Sequence, residues 1–105
     1  MIEKKIFLIS FVYFPEKKQL MYKAIQLIDL LKMNDEKAIR DFYNEHKNGF
    51  ILFAKRYNIH SNDIIDIYQD AVIALIENAK KGKIEDLKSS LSTYLFGTGK
   101  FMIFQ

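Results

Sequence analysis

Asp66, Gln69, Asp70 and Glu77 are the side chains of this sequence best placed by type and spacing to do directed chemistry. At about 100° per residue in a helix, they share one face with Ile73. Ile64, Tyr68, Ala71, Val72, Leu75 and Ala79 share the opposite face. Carboxylates accept charge-assisted hydrogen bonds, an amide both donates and accepts, and an isoleucine among them supplies a desolvated apolar centre. One face packs, and the other looks selected. Its plain counterpart is a solvated polar face carrying one exposed apolar residue, as many surfaces do.

Catalytic and metal chemistry find no support in the same sequence. There is no cysteine, and His46 and His60 stand far apart with no ligand-pair spacing, so no metal or cofactor is expected. No nucleophile lies beside a His–carboxylate pair. "FGTGK" lacks both the spacing and the preceding strand of a phosphate-binding loop, and Gly97 and Gly99 are expected to allow close helix packing instead. The chain is read as a non-enzyme of a reducing, cytoplasmic compartment.

The elements that would hold these residues are helices. With 105 residues, half of them apolar, the sequence suits one domain with a modest core. The net charge is +3, but residues 61–105 hold 5 Lys and Arg against 6 Asp and Glu, so charge alone does not mark a DNA-binding protein. The run "IFLISFVYF" at 6–14 is too short to span a bilayer and is followed by Pro15 and charge, not by a small-residue cleavage site. Residues 1–20 are read as an amino-terminal extension, with Met21 as the start of the domain at 21–105. A first helix is expected over roughly 16–33, carrying Leu20, Ala24, Leu27, Ile28 and Leu31. A second, capped by Asn34 or Asp35, carries Ile39, Phe42, Tyr43, Phe50, Phe53, Ala54 and Tyr57. The third is "DIIDIYQDAVIALIENAKKG", closed by lysines and Gly82 after a loop with several candidate caps. A last helix opens near Ser89 or Ser90 and carries Leu91, Tyr94, Leu95, Phe96, Phe101 and Phe104. The expected fold is an all-α bundle of about four helices with no membrane span.

Three segments in order, "NDEKAIRDFYNEHKNGFILFAKRY", "DIIDIYQDAVIALIEN" and "SSLSTYLFGTGK", resemble region 2 of bacterial RNA polymerase sigma factors of the extracytoplasmic-function type. The resemblance covers roughly residues 25–105, and Asp66-x-x-Gln69-Asp70 is its most specific piece, similar to the family's Asp-x-x-Gln-Glu segment. It implies a transcription-initiation module whose α-helical face of Asp66, Gln69, Asp70, Ile73 and Glu77 docks on the clamp coiled coil of core RNA polymerase. It also implies that the loop before the last helix, with that helix's first turns, holds the melted non-template strand of the promoter's minus-ten element. Lys83, Lys88 and Lys100 suit phosphates, and Ser89, Ser90, Ser92 and Thr93 suit phosphates or base edges. Tyr94 stands where the family usually has an inward-packed tryptophan. An anti-sigma protein is a further partner of the kind the resemblance implies.

Two departures bear on the DNA half of that expectation. Lys100-Phe101 stands where the family usually has Arg-Asn, so an amide able to read a base is replaced by an aromatic ring. The last helix's basic continuation and the second DNA-binding domain, region 4, are also missing from these 105 residues. The competing expectation is an interaction bundle that binds polymerase or another helical partner with no DNA function.

Overall fold

The computed structural model describes residues 15–84 and 90–105, which form four α-helices and one 3₁₀ turn: α1 (Pro15–Lys32), α2 (Glu36–Ala54), the turn Lys55–Tyr57, α3 (Ser61–Lys80) and α4 (Leu91–Ile103). The run at 6–14 and the segment 85–89 lie outside the described residues. Proline begins α1 because its fixed φ suits the first turn and its missing N–H has no partner to lose there. The helix then runs without a break through Met21.

Each helix end follows from its local residues. Asn34 takes a left-handed φ of 56°. The N–H groups of Asn34 and Asp35 then turn back to the carbonyls of Leu31 and Leu30, both at 3.1 Å, which stops α1 with its last carbonyls satisfied. Asp35 opens α2 at once by accepting the Ala38 N–H at 2.9 Å. The two candidate caps of the sequence thus divide the work, Asn34 ending one helix and Asp35 starting the next. Gly82, at φ 73°, repeats the device after α3. Its N–H reaches the Ala79 carbonyl at 3.1 Å and that of Lys83 reaches Asn78 at 2.9 Å. The α-helical part of α2 ends at Ala54, short of the Tyr57 that the expected second helix carries, and the turn Lys55–Tyr57 finishes with Asn58 in the left-handed region.

The core is apolar throughout among the described residues. Tyr68, Phe42, Phe50, Leu31, Ile64, Leu75, Ile84 and Leu95 are its largest fully buried side chains. All six residues of the expected packed stripe of α3 are buried, which makes α3 the helix against which the others assemble. Tyr68 is the one core side chain with a polar tip, and its hydroxyl donates to the Tyr43 carbonyl of α2 at 2.7 Å. Burial, and then the neighbouring Tyr43 and Glu45, hold that hydroxyl far above the ordinary tyrosine range, so it stays protonated. No buried side-chain polar atom among the described residues lacks a partner. The fold is therefore an all-α bundle of four helices, and none of the described helices is long and apolar enough to cross a membrane.

Candidate functional site

The outward face of α3 is open along its length. Asp66, Gln69, Asp70 and Glu77 are exposed, and Ile73 among them keeps 53% of its surface accessible. The side chains of Asp66, Gln69, Asp70 and Glu77 make no hydrogen bond or ion pair among the described residues, whereas Lys37 and Asp41 on α2 pair with each other at 3.1 Å. These carboxylates and the amide are thus available to an incoming partner. They are also rigidly presented, because the opposite side of the same helix is anchored by six buried residues.

Where α3 begins, His60 supplies the cap, its Nδ1 accepting the Asn62 N–H at 3.3 Å. The helix starts at Ser61 and ends at Lys80, two residues earlier at each end than the segment 63–82 suggests. Neither shift moves the exposed face.

The residues expected to meet DNA are only partly brought together. Lys88 and Ser89 lie outside the described residues. Lys83, Ser90, Thr93 and Lys100 are exposed and Ser92 is half-buried. Ser90 is the N-cap of α4: its Oγ accepts the Thr93 N–H at 3.2 Å and stands 2.9 Å from the hydroxyls of both Ser92 and Thr93. The hydroxyl cluster therefore first serves to start the helix. Lys100 lies two turns beyond Thr93 on the same side of α4, since seven residues return to nearly the same angle.

Tyr94 is half-buried against the core, and its hydroxyl accepts a hydrogen bond from the Asn78 amide at 2.9 Å, tying α4 to α3. Phe96 is also a packing residue, with ring centres 5.6 Å from Phe50 and 5.3 Å from Phe53. The two glycines of "FGTGK" differ. A Cβ on Gly99 would overlap the Phe50 ring, so glycine there lets α4 seat closely on α2. The expectation fails for Gly97, where a Cβ would meet nothing within 4 Å because the residue faces outward.

Phe101 and Phe104 also face outward, at 67% and 66% accessible. With Gly97, Lys100 and Gln105 they line a shallow depression. The Phe104 ring still touches the bundle, edge-on to Tyr57 at 5.2 Å. Lys55 and Arg56 at the end of α2 are exposed as well, and the Arg56 guanidinium lies 5.5 Å from the centre of the Phe53 ring. Lys55, Arg56 and Phe104 were not among the residues expected to bind. No acidic residue lies between Glu45 and Asp63 or after Asp86. Among the described residues, no cluster of three or more potential metal ligands occurs.

Comparison of the chain with family models, with curated proteins and with solved structures gave no match.

Proposed function

We propose that this chain is a transcription-initiation module of the sigma region 2 kind, binding core RNA polymerase through α3 and contacting an opened promoter strand through α4 and the segment before it. The observation that carries the reading is the exposed, internally unpartnered set Asp66, Gln69, Asp70, Ile73 and Glu77 on one rigid helix face. A basic partner helix could take charge-assisted hydrogen bonds from the two aspartates and desolvate Ile73 at the centre, the arrangement in which interface contacts contribute most.

The test is capture of core RNA polymerase by the chain and by the double variant Asp66→Ala with Gln69→Ala. Both side chains are exposed, so the variant should keep its melting behaviour and lose capture. Undiminished capture by the folded variant would sink the docking role.

A second reading, an interaction bundle with no DNA function, draws on a separate observation. The hydroxyls of Ser90, Ser92 and Thr93 bond to one another at the start of α4, and the amide expected at position 101 is a phenylalanine. Crosslinking of a minus-ten-like single strand within the captured complex separates the two. Crosslinks to residues 83–100 favour the initiation module, and a complex that never touches the strand favours the bundle.

A further inference from the structure

The outer faces of α3 and α4 are chemical complements of each other. Residues 61–79 hold Asp63, Asp66, Asp70 and Glu77 and no Lys or Arg, and the exposed Ile73 stands among these acids. Residues 90–105 hold Lys100 and no Asp or Glu. There the exposed Phe101 and Phe104, with Gly97, Lys100 and Gln105, line an open depression of about 540 Å³, ample for an isoleucine side chain. The turn Lys55–Tyr57, whose Tyr57 ring stands 5.2 Å from that of Phe104, carries exposed Lys55 and Arg56.

Gly97 adds a steric observation to the electrostatic one. Glycine inside an exposed helix costs about 1 kcal/mol relative to alanine. Nothing in the bundle requires it at 97, because a Cβ there would meet no atom within 4 Å, whereas Gly99 makes room for the Phe50 ring. In the lining of the depression, its missing side chain leaves a notch through which an incoming helix can approach the α4 backbone closely.

Each face is unsuited to its own kind. Pairing α3 with α3 sets carboxylates against carboxylates, and pairing α4 with α4 sets Lys100 against its counterpart with no acid to offset it. The crossed pairing joins opposite charges and covers apolar surface on both sides at once.

We propose that the partner of these two faces is a second copy of this chain, with α3 of one copy lying on α4 of the next. Ile73 enters the depression between Phe101 and Phe104, and the α3 carboxylates and Gln69 meet Lys100 and the Gln105 amide. Such a contact is head-to-tail, so it continues from copy to copy unless the rotation closes. It goes beyond the proposed function, and a copy engaged in it has its α3 face covered against any other partner.

The experiment is sedimentation equilibrium of the intact chain from about 10 μM to about 1 mM, a range that includes weak specific contacts. Average mass should rise with concentration and fall as salt is raised from about 50 to about 500 mM, because exposed charges become screened. Ile73→Ser disables one face and Phe101→Ser the other. Each variant alone should associate at least about tenfold more weakly with its melting temperature kept, since both side chains are exposed. An equimolar mixture of the two should recover association as one-to-one pairs, because one variant retains its α4 face and the other its α3 face. Gly97→Ala should weaken the pairing without lowering the melting temperature.

A chain that stays monomeric to about 1 mM overturns the proposal. So does a mixture that recovers nothing. Association that strengthens with salt overturns the charge pairing, and undiminished pairing in Gly97→Ala overturns the close approach at the notch. Association lost in only one of the two serine variants makes the contact one face against itself, and association undiminished in both places it elsewhere in the chain; either result overturns the crossed pairing. No sample contains polymerase, so failure here leaves the docking reading where it stood, and failure of polymerase capture leaves this one.

Discussion

Two helices of this bundle present an open face, and the two faces are opposite in kind. The α3 face is acidic and amide-bearing with one aliphatic residue at its centre. The open side of α4 has no acid at all and sets a lysine between a glycine and two phenylalanines. Both helices bury their inner sides in the same core, so packing does not account for the difference. The α3 face can neutralise a cationic helix, and the α4 face can neutralise a polyanion while offering it rings. One small bundle thus presents two open faces of opposite chemical character.

The comparison can be broken most forcefully on α3. Replacing Asp66 and Asp70 together by lysine should reverse that face and remove the proposed polymerase capture, a loss of at least about 2 kcal/mol in binding. The fold should change by no more than about 0.5 kcal/mol, because both side chains are exposed and unpaired. Pull-down and thermal melting on the same preparation check both halves. Next in size is Gly99→Ala, which drives a methyl group into the Phe50 ring and should destabilise the chain by about 1–3 kcal/mol, read by denaturant melting. It disturbs α4 and should leave the α3 face able to dock.

The Tyr68 hydroxyl gives a smaller effect. Tyr68→Phe should cost about 1 kcal/mol by removing the bond to the Tyr43 carbonyl. The sign of its pH dependence follows from the raised ionisation range: the folded state favours the neutral phenol, so its contribution is whole below about pH 10 and declines above it as the unfolded phenol ionises. A melt series in alkaline buffer should show that decline in the parent chain and a weaker one in the variant. Smallest, and opposite in sign, is Gly97→Ala. It should stabilise α4 by up to about 1 kcal/mol, since the added methyl meets open space and alanine restricts the unfolded chain. A destabilised Gly97→Ala variant would contradict the outward placement of that face.

The contrast between those glycines shows where sequence reasoning stops. The stripe Ile64, Tyr68, Ala71, Val72, Leu75 and Ala79 was legible because six apolar residues at helical spacing fix an inner side with little ambiguity, and the outer side follows from it. Gly97 and Gly99 look alike in "FGTGK", and only the position of the Phe50 ring on another helix tells them apart. The same limit applies to Phe101 and Phe104, which extend an apolar list without revealing that they point outward. Local chemistry served better at helix ends. Asp35, Gly82 and Ser90 do what their types predict, whereas His60 capped α3 from a loop that offered several other polar residues. For α4 itself, the lack of acidic residues was readable directly.

The succession of rings from Tyr68 through Phe50, Phe53 and Tyr57 to Phe104, with neighbouring centres 5.2 to 5.9 Å apart, has an optical consequence. The chain has six tyrosines and no tryptophan, so its near-ultraviolet emission is a tyrosine signal with no brighter acceptor to mask it. Tyr68 begins the succession, sealed in the core, and Tyr57 stands next to its last ring, the exposed Phe104. Any molecule settling on Phe104 would alter the surroundings of Tyr57 and leave those of Tyr68 alone, which gives the unlabelled protein its own reporter of contact at that end.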